Sequence, residues 1–159
     1  MILNVLTFVH LTFCLLAIGA GIQVMLGLFS GELIGKWAVA FFRCALTASV
    51  AKFIFPFQHL SHLQWLALSS VYVTGAAILA WRKFHLVGIW RSICALSITT
   101  VLCINVLLLS TQVMKLIPIL KTPSSALYEH IFQSVIVAVF VCIGTFAALR
   151  FRNRANLSS

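Results

Sequence analysis

The chain alternates between long apolar runs and short polar breaks, and the runs have the length of membrane-spanning helices. Crossing the hydrocarbon core of a bilayer takes about 20 mostly apolar residues. The breaks contain glycine, proline or clustered charge, which end a regular helix. The pattern predicts an all-α, polytopic transmembrane helix bundle, formed by a single domain (residues 1–159), with five spans: Ile2–Phe29, Trp37–Phe57, Leu63–Trp81, Leu86–Met114 and His130–Leu149.

The second of these segments is the weakest because it contains two cations. Arg43 and Lys52 lie about five or six residues from its ends, so their side chains can extend to the membrane surface. If this segment does not cross, the bundle has four spans and the N-terminus lies on the opposite side.

Composition supports lipid as the main surrounding. The chain is 62% hydrophobic and 8% charged, with a mean hydropathy of +1.12. Soluble domains carry about 25% charged residues, so the lipid bilayer is the predicted partner. The formal charge of +9 does not indicate nucleic acid, because the basic residues flank apolar runs and form no patch interleaved with exposed aromatics. The five cysteines lie inside apolar runs and form no C-x-x-C pair, so they predict small buried side chains rather than disulfides.

The distribution of basic residues predicts an orientation. Cytoplasmic loops of membrane proteins carry the excess of Lys and Arg. With five spans, Lys115 and Lys121 fall on one side, and six cations fall on the other: Lys36, Arg82, Lys83, Arg150, Arg152 and Arg154. The N-terminus is therefore predicted outside and the C-terminus in the cytoplasm. The first apolar run is too long for a signal peptide and lacks the basic segment that precedes one.

Four of the five histidines fall on the predicted outer side: His10, His59, His62 and His130. His10 and Cys14 are four residues apart and share one helix face. Imidazole and thiolate are ligands of transition metals, and two histidines from different helices can hold haem iron. A metal or haem site is one hypothesis. The alternative is that these histidines are solvated residues at the membrane interface.

Several amides predict a second kind of site. Asn105 and Gln112 are seven residues apart on one face of the fourth span. An unpaired amide in hydrocarbon costs several kcal/mol, so both should face the bundle interior. Gln133 and His10 lie at similar predicted depth, and His130 begins the fifth span on the same side. These five residues are the candidates for a polar pocket that opens outward. The alternative is that they make weak hydrogen bonds between helices.

Arg91 lies near the cytoplasmic start of the fourth span. It is a candidate for binding an anionic lipid headgroup or a substrate anion, and the alternative is simple extension to the inner leaflet. The chain has no aspartate, no glycine-rich phosphate loop and no Ser/His/Asp arrangement. Enzymatic activity is therefore not favoured.

Several short motifs resemble those of small multi-helix bacterial inner-membrane proteins of unassigned function. They are NVLTFVH near the N-terminus, FPF followed by histidine, H-L-x-G-x-W-R from His85 to Arg91, and I-N-V…Q-V…P from Ile104 to Pro118. The resemblance implies an integral protein of the bacterial inner membrane and supplies no substrate. The relatives carry a longer polar segment after the proline that corresponds to Pro118, where this chain has only KTPSSALYEH.

Three functional hypotheses follow. The first is a small binding or accessory membrane protein with an outward-facing polar site. The second is a redox protein that binds haem, a metal or a quinone through the outer histidines. The third is a transporter of a small solute, for which helices broken at the membrane centre would be typical. A homo-oligomer or a membrane-protein partner is compatible with all three.

Overall fold

The computed structural model of the protein describes residues 2–31, 35–54, 62–116 and 125–155. These residues form five α-helices, so the predicted all-α bundle is confirmed. The helices are α1 (Ile2–Ser30), α2 (Gly35–Ile54), α3 (His62–Arg82), α4 (Ile89–Leu116) and α5 (Ser125–Ala155). Pro56, Pro118 and Pro123, which were predicted to end helices, lie outside the described residues, as do His59 and Lys121.

Sequential helices run antiparallel, as paired contacts show for α1–α2, α2–α3 and α4–α5 and as the short turn between Arg82 and Ile89 shows for α3–α4. His10 of α1 lies beside Ala48 of α2, whereas Gly21 lies beside Phe41. The α2–α3 pair has Ser49 against Ser70 at one end and Phe42 against Trp81 at the other. The α4–α5 pair has Thr111 against Gln133, and Thr99 against Gly144. The helices therefore alternate up and down, as short connections require.

Three helices contain stretches long and apolar enough to cross a membrane, among the described residues. They are Phe8–Ser30 in α1, Ile89–Val113 in α4 and Tyr128–Arg152 in α5. The α4 stretch is much more buried than the α5 stretch. Helix α4 is therefore central, packed against α1, α3 and α5, whereas α5 lies at the edge against α4 and α1. The exposed face of α5 is apolar and includes Val135, Val139 and Phe146.

Small side chains bring the central helices close together. A β-carbon added at Gly21 would lie 2.6 Å from Cδ1 of Leu102 and 3.0 Å from Cε2 of Phe41. Glycine at this position lets α1 contact α2 and α4 at once. The surrounding core is rich in alanine and contains Ala17, Ala20, Ala38, Ala45, Ala77, Ala80 and Ala95. Small residues of this kind let helix backbones approach where lipid offers no hydrophobic drive.

The start of α4 differs from the sequence prediction. Leu86 was predicted to open the fourth span, but α4 begins at Ile89. His85, Leu86 and Gly88 have φ values of 47°, 56° and 57°. This left-handed conformation cannot belong to a right-handed helix, so the turn between α3 and α4 extends through Gly88. The stacked rings of Phe84 and Trp90, 3.6 Å apart, close this turn.

The two ends of the bundle differ in charge. We call one of them the basic end, defined by the cations Lys36, Arg82, Lys83, Arg91, Arg150 and Arg152. It contains the end of α1, the start of α2, the α3–α4 turn and the end of α5. Of the two glutamates, Glu129 lies near the start of α5 at the far end, and Glu32 lies outside the described residues.

Candidate functional site in the bundle interior

Polar side chains are buried in the half of the bundle away from the basic end. They come from four helices and are His10, Ser49, Ser70, Asn105 and Thr111. Two of them bond to each other, and the other three bond to main-chain carbonyls. Ser49 donates to the hydroxyl of Ser70 at 3.2 Å, and Thr111 donates to the carbonyl of Leu107 at 2.9 Å. This polar interior is the candidate site, because burying such groups is costly unless each has a partner.

Asn105 is the least satisfied of these residues. Its side chain is 1% exposed, and Nδ2 donates to the carbonyl of Val101 at 2.8 Å. A carbonyl can only accept, so the atom facing Val101 must be the nitrogen and the oxygen must point elsewhere. In the described part of the chain, Oδ1 has no hydrogen-bond partner. A buried acceptor left in this state costs about 1–3 kcal/mol.

His10 lies on α1, one of the helices that pack against α4. His10 is buried between α1 and α2, with Nδ1 3.0 Å from the carbonyl of Ala48 and Nε2 3.5 Å from Sγ of Cys14.

The other predicted pocket residues lie at the far end of α4 and α5. Gln133 donates from Nε2 to Oε1 of Glu129 at 3.1 Å and to the hydroxyl of Thr111 at 3.4 Å. Gln112, which follows Thr111 in the chain, is half-buried, and His130 is exposed on α5. Sequence reasoning did not place Glu129 and Thr111 in the polar pocket. The spacing of Glu129 and Gln133, four residues apart on a helix, was the available signal.

The histidines proposed as metal or haem ligands are only partly described. His59 lies outside the described residues, and of His62 only the backbone at the start of α3 is described. Within the described ranges, no group of three or more His, Cys, Asp or Glu side chains is arranged to hold a metal ion. The hypothesis of a site formed by all four outer histidines therefore stays a prediction.

Arg91, the candidate anion-binding residue, connects the α3–α4 turn to α5. Its Nε donates to the carbonyl of Leu86 at 3.1 Å, and one terminal nitrogen donates to the carbonyl of Phe151 at 3.3 Å. The guanidinium carbon also lies 4.8 Å from the centre of the Phe151 ring. Two of its five N–H donors therefore hold main-chain carbonyls, and its role in binding an anion stays a prediction.

A groove of about 310 Å³ lies on the surface between α4 and α5. Its lining is mainly apolar and includes Leu107, Val137 and Phe140, together with Thr99, Thr100 and Thr145. The three threonine hydroxyls donate to carbonyls in their own helices. Asn105 does not line the groove, so this surface feature is separate from the polar interior.

Comparison with known proteins finds no match: no family model, no curated protein and no solved structure is similar to this chain. The resemblance to small bacterial inner-membrane proteins rests on short motifs and stays a prediction. The chemistry of the buried residues therefore carries the functional argument.

Proposed function

We propose that this protein is a small membrane binding protein that holds a polar molecule inside its helix bundle, at Asn105. The observation that carries this proposal is Oδ1 of Asn105, which is buried near the middle of α4 and has no hydrogen-bond partner among the described residues. A ligand with an N–H or O–H donor would supply the missing hydrogen bond. The hydroxyls of Ser49 and Ser70, which are buried between α2 and α3, make the same half of the bundle polar.

The setting of this site is a five-span bundle in the bacterial inner membrane, with the N-terminus outside. Helices α2 and α3 have 20 and 21 residues, about 30 Å each at 1.5 Å per residue, which matches the hydrocarbon thickness. Their packing between the apolar helices supports five spans rather than four. The cations of the basic end support a cytoplasmic location for that end, so the polar interior would lie in the outer half.

Native mass spectrometry of the detergent-purified protein tests the ligand directly. We expect a small-molecule adduct that is released on denaturation and is lost in Asn105→Leu, because leucine removes the acceptor at similar volume. Thr100→Val is the matched control, since Thr100 is an exposed residue of the same helix. It should retain the adduct.

The stability of Asn105→Leu provides a second measurement. With no ligand, the substitution removes an unsatisfied acceptor and one hydrogen bond within the helix, so the protein should fold and unfold at equal or higher denaturant. With ligand bound, wild type should be the more stable. Wild type that carries no adduct, together with a variant at least as stable under every condition, would contradict the proposal. In that case Oδ1 holds a water molecule or nothing.

A further inference from the structure

The groove between α4 and α5 is a second feature that the Asn105 site does not use. Leu96 and Val137 line it and are 45% and 41% exposed, so the groove opens on the outer surface of the bundle. Its three threonine hydroxyls donate to carbonyls of their own helices, so none has a proton left for a polar solute. The chemistry of the lining therefore fits a hydrocarbon chain.

The length of the groove matches one leaflet of a bilayer. On α4 its lining runs from Leu96 to Leu107, about 16 Å at 1.5 Å per residue. The hydrocarbon core is about 30 Å thick, so the chains of one leaflet span about 15 Å. On α5 the lining ends toward the basic end at Thr145, just before Leu149, the end of the fifth predicted span. A single acyl chain therefore fits along the groove, with its headgroup at the basic end.

Two arginines lie where the groove approaches the basic end. Arg152 is exposed and follows Val141 of the groove by about three turns, so the two share one face of α5. Arg91 donates to the carbonyl of Phe151, which places a second guanidinium between α4 and α5 at the same level. Within the described ranges no carboxylate lies at this end, since Glu129 is at the far end. The groove therefore ends in positive charge.

Charge selects the headgroup, because an apolar surface does not distinguish one lipid tail from another. We propose that the α4–α5 groove holds one acyl chain of an anionic phospholipid, whose negatively charged headgroup lies beside Arg152 and Arg91. Basic pockets between membrane-spanning helices bind such headgroups, and each arginine near the membrane surface strengthens the attraction about 5-fold. This site is independent of the ligand at Asn105.

The test is a lipid titration of the detergent-purified full chain, followed by native mass spectrometry. Phosphatidylglycerol and phosphatidylethanolamine with identical acyl chains are compared, because only the first carries a net negative charge. We expect one phosphatidylglycerol per chain, bound at least about 5-fold more tightly than phosphatidylethanolamine.

Arg152→Gln tests the headgroup contact. It should lower the affinity for phosphatidylglycerol about 5-fold and leave the affinity for phosphatidylethanolamine unchanged. Arg150→Gln is the matched control, since it removes the same charge from the same helix. The guanidinium of Arg150 lies over the ring of Phe146, which packs against Phe29 of α1 and so faces away from the groove. This variant should bind both lipids as the parent protein does.

Val141→Trp tests the groove itself. The indole should occupy the space between the helices, so we expect loss of the bound lipid. Val139→Trp is the matched control, because Val139 is exposed on the same helix and does not line the groove. Circular dichroism shows whether each variant is folded.

Three results would overturn the proposal: equal affinities for the two lipids, equal effects of Arg152→Gln and Arg150→Gln, or lipid retained by folded Val141→Trp. A lipid-free dimer of the parent protein would also overturn it, because a helix of a second copy would then cover the groove.

Discussion

The close approach of three helices at Gly21 allows a sharp test of the packing. In Gly21→Ala, the new methyl would lie 2.6 Å from Cδ1 of Leu102 and 3.0 Å from the ring of Phe41. Carbon atoms cannot approach so closely, and both neighbours are buried, with 3% and 0% exposure. Adding a methylene to a well-packed core costs about 1–3 kcal/mol. The substitution should therefore weaken the bundle.

Gly19→Ala is the matched control, because it makes the same change two residues away. A β-carbon at Gly19 meets no atom within 4 Å. Both substitutions gain the higher helix propensity of alanine, about 1 kcal/mol. This gain cancels when the two variants are compared. The difference in unfolding free energy between them should therefore equal the packing cost, about 1–3 kcal/mol.

Equilibrium unfolding in mixed micelles, followed by circular dichroism, measures this difference. Gly19→Ala should be as stable as the parent protein or more stable, and Gly21→Ala should be the less stable of the pair. A difference below about 0.5 kcal/mol lies within the usual error of additivity. Such a result would refute the three-helix contact at Gly21.

Three further predictions concern other parts of the bundle. Gly144→Ala should destabilise the α4–α5 contact by about 1–3 kcal/mol in the same assay, because its methyl would lie 2.9 Å from Cγ2 of Thr99. Gly75→Ala is the control: its methyl meets nothing within 4 Å, so the substitution should be neutral or stabilising. Arg91→Gln should lower the free energy of unfolding by about 1–3 kcal/mol, because the carbonyls of Leu86 and Phe151 lose their hydrogen bonds to the guanidinium. An effect no larger than that of Arg82→Gln, at an exposed arginine, would show that Arg91 does not connect the α3–α4 turn to α5. A C-terminal green fluorescent protein should fluoresce and a C-terminal alkaline phosphatase should be inactive, and the reverse pattern would contradict the proposed orientation.

The helices were predictable because their signal is local. An apolar run of about 20 residues identifies itself without knowledge of its neighbours. Each described helix overlaps a predicted segment, although α5 (Ser125–Ala155) extends beyond the predicted His130–Leu149 at both ends. The start of α4 was not predictable in the same way. Leu86 is apolar and continues the run, but the left-handed backbone of His85 and Leu86 keeps it in the turn. Hydropathy does not report backbone conformation.

The site was harder to predict because it depends on rotation and depth. Sequence spacing placed Asn105 in the bundle interior, and the structure finds it buried. Spacing also suggested that His10 and Cys14 share a face, but it could not show that the carbonyl of Ala48 orients the ring. His10 and His130 were expected to contribute to one pocket, yet His10 is buried between α1 and α2 whereas His130 is exposed on α5. Which face of a helix is covered depends on its partners.

The hydrogen bonding of the Asn105 side chain is the central claim, and isotope-edited infrared spectroscopy in proteoliposomes measures it most directly. The chain has four asparagines, Asn4, Asn105, Asn153 and Asn156. Wild type and Asn105→Leu are both prepared with isotope-labelled asparagine. The difference between their spectra therefore isolates the side-chain carbonyl of Asn105. With a ligand bound, we expect this carbonyl to absorb at the lower frequency typical of a strong hydrogen bond, and to shift upward after the ligand is removed. A carbonyl that absorbs as an unbonded group in the protein as isolated would contradict the proposed binding site.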